Sequence, residues 1–188
     1  MPAAIYRPTR IIGHSRTGAL NDTTELLPQV LKGCIEMGLY PDWEIDITLV
    51  PVDYVSRSMV YLAGQQRAWS QAFHLFNPTP IHWLKLMAIL RGLGYPLEAV
   101  PYEDWRQELK NLATQDTLGR EFYAALVLAF TGLHYLFHER PPFDDRNIRE
   151  GLAGSGIHCP PIDQDLIGAY VAYWQNSGFL PKPEESLA

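Results

Sequence analysis

The apolar positions switch between two periods along the chain, and each switch marks an element. Residues 3–7 read as a β-strand, followed by Pro8 and a second short apolar pair, Ile11-Ile12. A polar loop holding Gly13 and Gly18 comes next. From Thr23 to Met37 the residues Leu26, Leu27, Val30, Leu31, Cys34 and Ile35 keep helical spacing. Asn21 and Asp22 are candidate caps for that helix, Pro28 falls near its first turn, and Gly38 stops it. Tyr40-Pro41-Asp42 predicts a turn, and Ile45 to Pro51 alternates as one short strand. Asp53 is read as the cap of a helix from Tyr54 to Ala63 with Val55, Met59, Val60 and Leu62 inward. Gln65 to Ser70 is a polar loop, and Ala72 to Phe76 a short β run closed by Asn77-Pro78. A helix over His82 to Leu93, a β segment over Leu97 to Tyr102 and a helix through Trp105 and Leu109 follow. The strongly apolar stretch Glu121 to His138 predicts one helix, ended by Pro141-Pro142. Asp144 to Gly151 is short and polar. The last helix spans Gln164 to Asn176, and residues 182–188 read as a tail.

The opening order is therefore strand, polar loop, helix. In an open α/β sheet, ligands bind at the carboxyl ends of strands, in loops of this kind. The Gly13–Gly18 loop is accordingly expected to form one wall of a binding crevice. Gly13-His14-Ser15-Arg16-Thr17-Gly18 comes close to a G-x-S-x-G nucleophile elbow, but its second glycine is one residue late. A ligand-lining loop, a plain surface loop and a serine nucleophile at Ser15 all remain open on this evidence. His134 and His138 stand at i, i+4 without the glutamate of H-E-x-x-H, so a helix-end pair is favoured over a metal site. Cys159 reads as a structural cysteine rather than a reactive thiol. The aromatic sets Tyr170/Tyr173/Trp174 and Phe122/Tyr123/Phe130 read as core or groove lining.

Composition narrows the partners. The 188 residues suffice for a real core, and 47% of them are apolar. A net charge of −6 with scattered basic residues disfavours a nucleic-acid surface. No apolar run is long enough to span a bilayer, and the N-terminus does not read as a signal peptide. Two distant cysteines suit a reducing compartment, so a cytoplasmic protein with neither membrane nor nucleic-acid partner is expected. There is no Gly-rich dinucleotide turn after a strand, no P-loop, and no Tyr-x-x-x-Lys. No catalytic residue and no metal ligand is assigned from the residues present.

The wording of several stretches, in one order, carries a resemblance. Ile5-Tyr6-Arg7-Pro8-x-Arg10-Ile11-x-Gly13-His14-Ser15-x-Thr17-Gly18-Ala19 resembles the C-terminal half of thioester reductase domains. These are extended short-chain dehydrogenases that terminate many non-ribosomal peptide and polyketide synthetases. They are similar to carboxylic acid and aminoadipate-semialdehyde reductases. Pro51-Val52-Asp53-Tyr54-Val55, Phe73-His74-Leu75-x-Asn77-Pro78, Gly94-Tyr95-Pro96-Leu97 and Cys159-Pro160-Pro161-Ile162-Asp163 continue the match.

The resemblance implies an α/β fold: the C-terminal portion of a Rossmann-type reductase, mostly a helical substrate domain with a few short strands, over residues 1–181. It implies NADP, bound mainly by an N-terminal half that would carry the Gly-rich turn and the catalytic Thr/Ser, Tyr and Lys. Pro8, Thr9, Arg10 and Ile11 would lie against the nicotinamide, while His14, Ser15, Thr17 and Gly18 would face a phosphopantetheine arm. Thr9 stands where the family often has glycine. The implied partners are a phosphopantetheinylated carrier protein and, if the enzyme is split, a separate N-terminal reductase half pairing with the Ala3–Arg7 edge. An excised piece and a truncated gene product are equally open. The implied reaction releases a thioester-bound acyl or peptidyl chain as aldehyde or alcohol, with the chain inactive by itself. A carrier-docking module and a serine thioesterase are the alternatives.

Overall fold

The computed structural model describes residues 3–20, 25–115, 119–133 and 144–183. The expected cap pair Asn21/Asp22, the His134/His138 pair, Pro141-Pro142 and most of the tail lie outside them. The chain divides into two compact units. One comprises residues 1–20, 46–81 and 141–173; the other comprises residues 21–45, 82–140 and 174–188.

The elements run in the order β1 (Ile5–Pro8), β2 (Arg10–Ile12), α1 (Leu26–Met37), β3 (Leu39–Pro41), β4 (Asp46–Ile47), β5 (Leu49–Pro51) and α2 (Val52–Ala63). A 3-10 turn at Gln66–Ala68 follows. Then come β6 (Ala72–Leu75), β7 (Ile81–His82), α3 (Trp83–Gly92), β8 (Glu98–Val100), α4 (Tyr102–Thr114), α5 (Arg120–Leu133), α6 (Arg146–Gly151) and α7 (Gln164–Asn176). Helices dominate and the strands are short, as the α/β expectation requires.

In the first unit, β1 pairs in parallel with β6, with Ile5 opposite Ala72 and Pro8 opposite Leu75. β2 pairs in parallel with β5, with Arg10 opposite Leu49. Parallel strands bury their inner face, and here Tyr6 stacks on Phe73 with ring centroids 5.7 Å apart. Val50, Tyr54, Val55, Leu62, Phe73 and Ile148 form the core beneath. Arg67 closes one edge of it through its Nη2, which donates to the Gly151 carbonyl at 3.2 Å. Among the described residues β1 has no second strand partner. Ile5 stays 52% exposed, and proline at the end of such an edge removes no ladder bond.

In the second unit, β3 pairs in parallel with β8. Gly33 on α1 lets α5 come close, since a Cβ there would stand 2.8 Å from Leu126 Cδ1. Trp43 packs against Trp83, Tyr102, Trp105 and Phe130. The Trp83 indole N–H donates to the Pro41 carbonyl at 2.7 Å. Tyr95 O–H donates to the Pro181 carbonyl at 2.8 Å, which fastens the C-terminal segment.

Four local expectations are corrected. Leu39–Pro41 is a strand, because pairing with a distant segment overrides the turn signal of Tyr40-Pro41-Asp42. The single strand expected over Ile45 to Pro51 is two, interrupted at Thr48. The stretch expected as merely short and polar contains the helix α6. Val60 is 76% exposed: α2 buries Tyr54, Val55, Ser58 and Leu62, and Val60 lies off that stripe.

Candidate functional site

The Gly13–Ala19 loop leaves the carboxyl end of β2, beside the point where β5 runs directly into α2. Its root is held twice. The Gly13 carbonyl accepts from Val52 N–H at 3.3 Å and from the buried Tyr170 hydroxyl at 3.1 Å. The loop closes on itself: His14 N–H donates to the Ala19 carbonyl and Gly18 N–H to the His14 carbonyl, both at 2.9 Å. Gly18 sits at φ 69° against α7, where a Cβ would stand 2.2 Å from the Ala169 carbonyl oxygen. Only glycine fits both the backbone conformation and the approach.

The middle of the loop is fixed by Asp53. Its carboxylate accepts from Ser15 N–H and from Ser15 O–H, each at 2.8 Å. Asp53 was expected to cap α2; instead Pro51 is the residue before the helix, with no side-chain cap, and Asp53 lies in the first turn. That turn favours an anion, since the helix dipole is positive there. Burial is the largest single influence on the Asp53 carboxyl and raises its pKa. The two bonds from Ser15 help to outweigh it, and the carboxyl is held below its usual value. Asp53 is therefore a clamp, and nothing in its sequence context marks a partner 38 residues away. The aromatic spacing around Tyr170 likewise signalled burial but not its bond to Gly13.

The other site residues fall as follows. Pro8 and Ile11 are exposed, Thr9 and Arg10 half-buried, and Thr9 joins β1 to β2. Thr9 N–H donates to the Leu75 carbonyl at 2.9 Å. Its hydroxyl oxygen is buried without a hydrogen-bond partner among the described residues. Its φ is not positive, so the backbone here does not demand a glycine. His14 and Ser15 are half-buried, Arg16 and Thr17 exposed, Gly18 buried. Pro8 ends β1, Thr9 joins the two strands, Arg10 and Ile11 open β2, and His14, Ser15, Thr17 and Gly18 lie in the loop that follows it.

Ser15 O–H is given directly to Asp53, while Nδ1 of the adjacent His14 accepts from Arg16 N–H at 3.2 Å. That arrangement offers no serine–histidine pair of the kind an activated nucleophile uses. Ser155 is also occupied, its Oγ accepting from Ile157 N–H. Burial, with a smaller contribution from Asp53, pushes the Cys159 thiol up to about 12, which keeps it protonated and unreactive. The Asn77 side-chain amide donates to the Pro160 carbonyl at 2.9 Å and anchors the segment carrying that thiol. The described residues hold no group of three or more His, Cys, Asp and Glu side chains suited to a metal. None of their helices is long and apolar enough to cross a membrane.

Comparison with known proteins agrees with this geometry. The family described as Male sterility protein, an NAD-binding family, matches residues 1–59. The isonitrile lipopeptide synthase of Streptomyces coeruleorubidus is 31% identical over 97% of this chain, which spans 13% of the synthase. The terminal R domain from the myxalamid PKS-NRPS pathway superimposes with a TM-score of 0.87 at 34% identity. That match covers 97% of this chain and 46% of the R domain. A thiolation-reductase di-domain from an archaeal non-ribosomal peptide synthetase shares the fold, with a TM-score of 0.74 at 18% identity over 95% of this chain and 37% of its own.

The protein therefore has the α/β fold of the extended short-chain dehydrogenases. Its relatives over nearly its whole length are reductase domains of non-ribosomal peptide and polyketide synthetases, and this chain spans less than half of the R domain it matches.

Proposed function

We propose that this chain is the C-terminal, substrate-binding part of an NAD(P)H-dependent thioester reductase that releases a phosphopantetheine-bound acyl or peptidyl chain. The observation that carries the reading is the anchored Gly13–Gly18 loop at the carboxyl ends of parallel strands, in a chain 34% identical to a terminal R domain over 97% of its length. The reduced nicotinamide, NADPH in this reading, would supply a hydride to the thioester carbonyl carbon; with a proton on the oxygen this gives a hemithioacetal, whose C–S bond breaks to leave aldehyde and free thiol. Pro8, Thr9, Arg10 and Ile11 fit the nicotinamide side. Pro8 and Ile11 offer exposed apolar surface.

His14, Ser15, Thr17 and Gly18 line the path of the arm, Ser15 and Gly18 by holding the loop and His14 and Thr17 by facing it. The Tyr and Lys that would stabilise the oxyanion belong to a segment beyond these residues, as does most of the cofactor site. A carrier protein would present the arm, as the thiolation-reductase pairing of the archaeal relative suggests. The Ala3–Arg7 edge, unpaired on one side among the described residues, is where the remainder of the sheet would join.

The test is an NADPH-oxidation assay with an acyl-pantetheine thioester. The chain is assayed alone and then together with a segment carrying the Gly-rich turn and Tyr-x-x-x-Lys. Activity only in the combined protein is expected. Turnover by the chain alone, or a combined protein that forms and yet stays inactive, overturns the proposal.

A further inference from the structure

Two acceptor atoms of the loop are turned back onto its own backbone. His14 Nδ1 takes Arg16 N–H at 3.2 Å, and Thr17 Oγ1 takes Ala19 N–H at 3.4 Å. Accepting at Nδ1 requires a lone pair there, so the neutral imidazole carries its proton on Nε2. The Thr17 hydroxyl keeps its hydrogen for another partner. Ser15 faces inward to Asp53, and Arg16, a cation with no acceptor of its own, is exposed. The rim of the loop thus carries three side-chain donors: His14 Nε2–H, Thr17 O–H and the Arg16 guanidinium.

We infer that this rim reads acceptor oxygens on its ligand, with His14 Nε2–H donating to an amide carbonyl of the pantetheine arm. The inference rests on the substrate-binding reading above and adds the polarity of recognition and the atom that performs it. His14 is a binding residue twice over: one nitrogen shapes the turn and the other meets the ligand. The internal bonds matter because they fix which nitrogen is free; a loop without them would present either tautomer. An arm with two amide carbonyls suits such a rim, and so do the oxygens of a phosphate, for which Arg16 would be the principal contact.

The experiment uses the full chain and two probes, S-acetyl-pantetheine and inorganic phosphate. Imidazole nitrogen chemical shifts read the tautomer, and amide spectra follow binding. Expected are an Nε2-protonated His14 and saturable binding of S-acetyl-pantetheine in the millimolar range. His14→Asp retains an acceptor for Arg16 N–H, the geometry of an Asx turn, and, being acceptor-only when ionised, removes the outward donor. It should weaken S-acetyl-pantetheine about fivefold, the scale of one neutral hydrogen bond, with an unchanged loop spectrum and melting temperature. Thr17→Val provides a second variant, expected to weaken the same probe.

An Nδ1-protonated ring, or unchanged affinity in His14→Asp, overturns the inference and leaves the substrate-binding reading standing. Binding of phosphate that equals or exceeds that of S-acetyl-pantetheine overturns the carbonyl assignment in favour of an anion site. Failure of the unmodified chain to bind S-acetyl-pantetheine at all removes the substrate-binding reading and the inference together.

Discussion

Replacing Asp53 by alanine removes both acceptors that hold Ser15, and the loss can be estimated from the geometry. Each bond is 2.8 Å long and ends on a carboxylate. Hydrogen bonds to charged groups contribute about 1.5–3 kcal/mol each. The site is half-buried, so water replaces part of what is removed, and a total near 2 kcal/mol is expected for the pair. In a chain of this size that lowers the melting temperature by about 4–8 °C. The carboxyl titrates below its unfolded value, so its contribution is complete above the unfolded pKa, near ~4, and is lost as pH falls through the depressed folded value. The gap between Asp53→Ala and the unmodified chain should therefore be constant near neutrality and close in acid. Urea unfolding across a pH series measures it. A double-mutant cycle with Ser15→Ala, which keeps the backbone N–H, isolates the hydroxyl bond to Asp53, with an expected coupling of about 1 kcal/mol. A neutral-pH loss under ~0.5 kcal/mol, a gap that does not narrow in acid, or an additive cycle would refute the clamp.

Three further outcomes follow from the same loop and its support. Gly18→Ala meets both the left-handed backbone and the Ala169 carbonyl, and should cost about 2–4 kcal/mol in thermal or urea unfolding; a loss no larger than at an ordinary glycine would contradict the close approach. Tyr170→Phe deletes the hydroxyl bond to the Gly13 carbonyl and should cost about 1 kcal/mol, read by the same unfolding curves. Burial raises the thiols of both Cys34 and Cys159, so iodoacetamide at mildly alkaline pH should label neither in the native protein and both in urea, as mass spectrometry would record. Rapid native labelling of Cys159 would disprove its enclosure.

What could be foreseen from the sequence divides along the range of the interactions involved. The last helix, Gln164 to Asn176, was readable end to end, because Leu166, Ile167, Tyr170, Val171 and Trp174 repeat at a local period. The strand–loop–helix order at the N-terminus was readable for the same reason. The turn at Tyr40-Pro41-Asp42 failed because β3 exists through Val100 and its neighbours, and pairing across sixty residues leaves no local trace. Asp53 failed in a more instructive way. Aspartate at the start of a helix has an ordinary explanation as a cap, and that explanation concealed a tertiary one.

The difference matters for reading the site. A cap at Asp53 would stabilise α2 alone, and its loss would spare the loop. A clamp ties the stability of α2 to the conformation of the loop through Ser15, so the loop inherits part of its order from that helix. Residues that support a binding loop in this way are invisible to motif logic, since their chemistry is generic and only their partner is special. They become visible once a carboxylate accepts both the backbone and the side chain of one loop residue, as it does here.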